Sequence, residues 1–155
     1  SAGASAVQIF DSWVGALAPQ DYRQYVYPTM KRIFSELAEI DAPKIYFGVG
    51  SGELLPIWKE LDTNVIGLDW RVSIQVGRER IGSRFAVQGN LDPTLLLAPW
   101  SVLERRAKEI IDMGIEQPGF IFNLGHGVFP EVDGAKLKDL TTFIHEYSAS
   151  QLSQK

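Results

Sequence analysis

The sequence predicts an α/β fold of five parallel strands alternating with helices. Two observations carry this reading. Five short apolar runs, at residues 6–10 (AVQIF), 44–47 (KIYF), 65–68 (VIGL), 84–88 (RFAVQ) and 120–123 (FIFN), are separated by stretches with helical periodicity or cap residues. Those intervening stretches are too long for hairpins, so successive strands are parallel and joined by right-handed crossovers. The runs are apolar almost throughout, which means that both faces of the sheet are covered. No linker or repeat breaks the series, so residues 1–155 form one unit.

The elements follow in order. After the run 6–10, Ala18-Pro19-Gln20-Asp21 opens a helix to about residue 40, with apolar Tyr22, Tyr25, Val26, Met30, Ile33, Phe34 and Leu37 at a 3.6-residue period. Pro28 should kink this helix or split it. Residues 48–52 (GVGSG) form the next loop, where Ser51 or Gly52 can cap a helix to about residue 61. Ser73 caps a helix to about residue 81. Ser101, with Glu104 three residues on, makes a capping box for a helix to about residue 113. A last helix spans about 134–147.

Composition removes several functions. With 45% hydrophobic and 22% charged residues, the chain is an ordinary globular one. There are no cysteines, which excludes disulfides, a thiolate zinc site and a cysteine nucleophile, and fits a cytoplasmic protein. A net charge of −4 with scattered Lys and Arg leaves no footprint for nucleic acid. No apolar run approaches the roughly 20 residues that span a bilayer. Residues 1–6 are small and lack a basic start, so no signal peptide is visible, and the missing initial Met suggests a trimmed product.

Small and polar residues gather after each strand: Asp11-Ser12, Gly48 to Gly52, Asp69-Trp70, Gln88-Gly89-Asn90, and Asn123 to Gly127. In parallel α/β folds ligands bind at this carboxyl edge. The glycines at 48, 50 and 52 serve equally well as turn residues, and their spacing is not that of a dinucleotide or phosphate loop. Asp69 is either a ligand group or a turn cap, and Trp70 reads as core. His126, between two glycines after an apolar strand, points over the mouth of the sheet. His145 sits late in the last helix, where a cation suits the dipole. Nothing in the spacing of Asp11, Asp69 or Asp92 around His126 favours a metal site, and no Gly-x-Ser-x-Gly elbow activates a serine.

Taken together, residues 6–13 (AVQIFDSW), 67–70 (GLDW), 88–93 (QGNLDP) and 122–127 (FNLGHG) resemble the signatures of the uroporphyrinogen decarboxylase family, in family order. The resemblance implies a (β/α)8 TIM barrel, of which this chain carries the C-terminal part, five strands of eight. It implies an enzyme of haem biosynthesis that removes carbon dioxide from the four acetate side chains of uroporphyrinogen III, giving coproporphyrinogen III. It also implies no metal and no cofactor, a cytoplasmic setting and a homodimer. The family's serine falls on Ser12, its histidine on His126, and the phenylalanine that contacts the macrocycle on Phe10. Ser12 and His126 are therefore the expected catalytic residues, and Phe10, Ser12 and His126 the expected contacts to the tetrapyrrole. Asp11, Asp69 and Asn90 match motif positions as scaffold.

Family members are longer, and their N-terminal part brings an arginine pair, an aspartate for the pyrrole NH groups and a tyrosine, none of which can be placed here. A substrate with eight carboxylates needs cations, yet Arg71 is the sole Lys or Arg in the loops after the strands. The chain alone is thus expected to be inactive and, with open strand edges, to self-associate. Two other readings compete: a relative of the cobamide-dependent methyltransferases, disfavoured by the lack of cysteine, and a non-catalytic half-barrel module for binding or assembly.

Overall fold

The computed structural model describes residues 3–154. Ser1 and Ala2, which open the small-residue segment 1–6, lie outside the described residues. Five strands, β1 (Val7–Phe10), β2 (Lys44–Phe47), β3 (Val65–Gly67), β4 (Ala86–Leu91) and β5 (Phe120–Leu124), form one sheet in sequence order. Every neighbouring pair is parallel. The expected alternation of strands and helices is therefore present.

The sheet is curved. In register, Phe10, Phe47, Gly67, Gln88 and Ile121 form one row across the five strands and share one face. Gln88 Nε2 donates to Gln8 Oε1 at 3.3 Å, although β1 and β4 are three strand spacings apart. In a flat sheet those strands would lie about 14 Å apart. The strands curl like staves, and this row lies on the concave side.

The convex side is dry. Tyr46, Ile66, Leu68, Val87 and Leu91 point outward from the strands into a buried cluster with Phe34, Leu55, Trp58, Ile74, Leu103 and Ile110. Helix α5 (Trp100–Gly114) shows how this is encoded: its buried residues Leu103, Ala107, Ile110, Ile111 and Gly114 recur at three- and four-residue spacing. Helix α6 (Gly134–Leu152) differs. Over 19 residues it fully buries Leu140 alone.

Several boundaries differ from the sequence reading. The segment after β1 is not one helix to residue 40. It comprises a turn of helix α1 (Pro19–Asp21), a π-helical turn Tyr22–Val26, helix α2 (Tyr27–Glu36) and a 3-10 turn Leu37–Glu39. Pro28 sits at the start of α2, and just before it the Tyr27 N–H reaches back to the Tyr22 carbonyl. The proline splits the helical run because it has no N–H to continue the ladder.

The 3-10 turn Gly52–Leu54 and helix α3 (Leu55–Trp58) follow β2. Ser51 makes no cap there; its hydroxyl donates to the Gly48 carbonyl at 2.8 Å. Ser73 does cap helix α4 (Ile74–Ile81), accepting from the Val76 N–H at 3.2 Å. The capping box at Ser101 is absent. Pro99, fixed near φ −54°, turns the chain into α5 two residues earlier, and Glu104 pairs with Lys108 instead. Helix α6 is capped by Asp133 and continues five residues beyond the expected end.

Strand β4 begins two residues later than expected and runs on to Leu91, so Gly89 and Asn90 are strand rather than loop. Gln88 faces the concave side, where it bonds Gln8, while Val87 and Leu91 pack into the helix-covered cluster.

Leu55 carries the packing at the centre of this cluster with no exposed surface. Leu55→Ala should lower unfolding free energy by about 2–5 kcal/mol, read from the urea midpoint at unchanged slope. A loss below 1 kcal/mol would place Leu55 outside the core.

Candidate functional site

The curl brings the carboxyl ends of the two outer strands to one space. A cavity of about 280 Å3 is lined by Gln8, Phe10 and Ser12 from the β1 side and by Asn123, His126 and Gly127 from the β5 side. Phe47 closes its floor. The three residues expected to contact a ligand, Phe10, Ser12 and His126, thus meet in one place, though they come from opposite ends of the chain.

Each is placed by its own element. Phe10 ends β1 and is 68% exposed, with its ring edge-on to Phe47 at 6.1 Å. Ser12 follows in the turn after β1 and is exposed. His126 follows β5, with its ring edge-on to Trp70 at 6.4 Å. Its Nδ1 accepts the Gly127 N–H at 2.7 Å. A neutral imidazole whose Nδ1 accepts carries its proton on Nε2. Nε2–H is then a free donor for an anionic or carbonyl oxygen.

The glycines around His126 differ in role. A Cβ on Gly125 would lie 2.7 Å from the Trp70 backbone nitrogen, so that position requires glycine. A Cβ on Gly127 would meet nothing. The expectation that both glycines allow close approach holds for Gly125 and not for Gly127.

The other motif residues are scaffold. Asp69, 2% exposed, accepts from the Gly50 N–H at 2.5 Å, from the Arg71 N–H at 3.0 Å and from Arg71 Nη1 at 2.8 Å. It is a loop anchor, not a ligand group. Trp70 is only partly buried; the Arg71 guanidinium stacks on it at 4.1 Å. Asn90, 6% exposed, donates through Nδ2 to the Asp69 carbonyl at 3.0 Å and to the Val72 carbonyl. Asp92 caps the next turn by accepting from the Thr94 N–H at 2.9 Å. Among the described residues no three His, Asp or Glu side chains converge as a metal centre would need.

The loops lock together. A Cβ on Gly15 would lie 2.2 Å from the Val49 carbonyl, so the β1 and β2 loops touch backbone to backbone. Gly50 in turn is held by Asp69, beyond β3. Beneath them, Tyr46 donates to Asp11 Oδ2 at 2.9 Å, and the Tyr22 hydroxyl lies 3.2 Å from that of Tyr46.

The sequence reading placed Asn123 at the carboxyl edge without a role, and missed Gln8 and this tyrosine pair. A glutamine inside the apolar run AVQIF was the available signal, because a polar group in a strand core needs a partner. Nothing in the sequence singles out two tyrosines 24 residues apart.

This chain is similar to known proteins along its length. The family model for uroporphyrinogen decarboxylase (URO-D) matches residues 1–147. The chain belongs to the uroporphyrinogen decarboxylase family. Curated relatives named uroporphyrinogen decarboxylase include one from Geobacillus sp. (strain WCH70), 60% identical over 148 residues, or 96% of this chain and 43% of the relative. Another, from Bacillus subtilis (strain 168), is 58% identical over 150 residues, or 97% of this chain and 42% of the relative. The chain therefore spans less than half the length of the curated relatives it matches. Among solved structures, a methyltransferase from Methanosarcina mazei superposes with a TM-score of 0.79 over 94% of this chain and 43% of that one, at 22% identity. That likeness concerns the fold, a (β/α)8 barrel represented here by five of its strands. No helix among the described residues is long and apolar enough to cross a membrane.

Burial pushes the Tyr22 phenol up to about 12, with the nearby Asp11 charge adding to the effect. Burial pushes Tyr46 up as well, and its neighbours Tyr22 and Asp11 push in the same direction. A raised folded-state pKa gives stability that is complete below the ordinary value near 10 and lost as pH rises through the folded value. Unfolding free energy should therefore hold level up to pH 10 and fall between pH 10 and 12, by about 1.4 kcal/mol per pH unit for one such group. Urea midpoints across this range check it; Tyr22→Phe should flatten the fall, and an unchanged slope would contradict the assignment.

Proposed function

We propose that this chain forms one side of the tetrapyrrole site of a uroporphyrinogen decarboxylase. The whole protein then converts uroporphyrinogen III to coproporphyrinogen III by removing its four acetate carboxyls. The observation that supports this reading is the meeting of Phe10, Ser12 and His126 around one cavity at the carboxyl edge of the sheet. We assign Phe10 to contact with the macrocycle, and Ser12 and His126 to the carboxylate that is lost. The hydroxyl of Ser12 and the Nε2–H of His126 are donors suited to a carboxylate.

In each turnover the pyrrole ring takes a proton and the bond from the acetate methylene to its carboxyl carbon breaks. Carbon dioxide leaves, the bonding electrons pass into the ring, the methylene takes a proton to become methyl, and the ring gives its own proton back. One proton is consumed per carbon dioxide. The reaction needs no redox partner, so the reading includes no cofactor. A cytoplasmic setting belongs to the same reading, in keeping with a cysteine-free chain.

The cavity alone is too small for the task. At about 280 Å3 it falls below the range of roughly 300–1,000 Å3 that encloses a drug-sized ligand, and a tetrapyrrole is larger. Among the described residues the mouth has no free Lys or Arg, since Arg71 is paired with Asp69. We infer that the remaining length seen in the relatives completes the site, and that this chain by itself has no turnover.

The chain has surfaces to spare. Phe10 and Ile121 are 68% and 42% exposed on the concave face, and a groove of about 660 Å3 runs along β5 beside Phe120, Phe122, Ile144 and Leu152. We propose a homodimer for the whole protein and self-association for this chain alone. Sedimentation should show a dimer or larger species; a single 17.3 kDa species would contradict this.

The functional test grafts this chain onto the remaining length of the Geobacillus relative, replacing the part it matches. The graft should decarboxylate uroporphyrinogen, and His126→Ala or Ser12→Ala should lower kcat/KM about 10- to 100-fold, the scale of losing a positioned donor. A graft that folds but leaves uroporphyrinogen untouched would refute the reading. Steady turnover by the ungrafted chain, above host contamination, would refute the need for the remaining length.

A further inference from the structure

We propose that Tyr46 and Tyr22 are positioning residues for the site, holding Phe10 and Ser12 toward the cavity through the carboxylate of Asp11. The inference rests on the reading that Phe10 and Ser12 meet the ligand.

Side chains along an extended segment point alternately to opposite sides. Phe10 and Ser12 both line the cavity, and Asp11 between them turns the other way, toward the core. Whatever fixes the side chain of Asp11 therefore fixes the facing of both neighbours. Three contacts hold Asp11, two through its backbone and one through its side chain. The Asp11 N–H donates to the Phe47 carbonyl at 2.8 Å, the Asp11 carbonyl accepts from the Val14 N–H at 3.3 Å, and Oδ2 accepts from the Tyr46 hydroxyl at 2.9 Å.

The direction of the hydrogen bonds follows from the proton count. A carboxylate only accepts, so the single hydroxyl proton of Tyr46 goes to Asp11. The Tyr46 oxygen is then an acceptor at 3.2 Å from the Tyr22 hydroxyl, which donates to it. The chain Tyr22–Tyr46–Asp11 runs from the helical segment after β1, through the core, to the lip of the cavity. Both phenols have no exposed surface.

Packing alone does not call for hydroxyls here. Tyr46 lies between Phe34, edge-on at 5.5 Å, and Trp58 at 4.1 Å, and a phenylalanine would fill the same space. A buried hydroxyl costs desolvation unless it is bonded, so two in series mark a placement that phenylalanine cannot supply. Tyr22 also opens the π-helical turn Tyr22–Val26. Such turns are frequent at functional sites.

Two measurements on Tyr46→Phe test this. In NMR spectra of the chain itself, the amide resonances of Phe10, Asp11 and Ser12 should move, while those of Ala107 and Ile110, in the core beneath β4, stay in place. Unmoved Phe10 and Ser12 amides would overturn the proposal whatever the fate of the decarboxylase reading. In the graft described above, Tyr46→Phe should lower kcat/KM about tenfold, mainly through KM, since a misplaced contact group weakens ligand positioning. A fall in apparent kcat at constant KM, in proportion to the folded fraction, would mean a merely structural role and would overturn the proposal. Asp11→Asn retains an oxygen that accepts from Tyr46 and should restore most of the kcat/KM lost in Asp11→Ala; equal losses in the two would overturn it. An inactive native graft counts against the decarboxylase reading alone and leaves the NMR result to decide this one.

Discussion

The curl of the parallel sheet is the constraint on which the site depends. Helices cover the convex side, and their apolar stripes close a dry layer around Tyr46, Ile66, Leu68 and Val87. Parallel strands twist in a fixed hand, and here the twist and the one-sided cover bend the sheet enough for Gln88 to reach Gln8 across β2 and β3. Flattened, the same sheet would hold Ser12 and His126 far apart, on strands at opposite edges. Curled, it sets both against one cavity.

What the curl brings near, the loops fix. The backbone contact of Gly15 with Val49, the grip of Asp69 on Gly50, and the packing of Gly125 on Trp70 connect the loops after β1, β2, β3 and β5. Each link is short and made by backbone, or by a buried carboxylate with three hydrogen bonds. A buried charge is tolerable only when so paired. Asp69 therefore orders the mouth of the barrel without touching the cavity.

The order of the strands and the direction of each were legible in the sequence, because apolar runs separated by long helical stretches leave few other topologies. So was the cluster of Phe10, Ser12 and His126, which the family signatures carry. Three kinds of feature were not legible. In sequence Gly89 and Asn90 read as the loop after the fourth strand, yet β4 continues past both, paired in register with β5. Ser101 looked like a cap, but Pro99 fixes the backbone angle first. The pairing of Tyr22 with Tyr46 joins the helical segment after β1 to strand β2, 24 residues apart. The strand extension and the tyrosine pair are decided by neighbours distant in sequence, and the helix start by a proline two residues before Ser101.

Charge gives the last step. The loops after the strands hold Asp11, Glu53, Asp69, Asp92, Glu131 and Asp133 against the single cation Arg71. Two of these carboxylates are satisfied inside the protein, Asp69 by Arg71 and backbone and Asp11 by Tyr46, so neither presents an unpaired charge to the cavity. The cavity itself is lined by amides, a hydroxyl, aromatic rings and an imidazole. A lining of that kind can orient a carboxylate and accommodate an apolar ring system, but it cannot neutralise many carboxylates at once. On the proposed reading, the cations for a polyanionic substrate come from another surface, facing this one across the concave side of the sheet. The exposed row from Phe10 to Ile121 is where that surface would meet it.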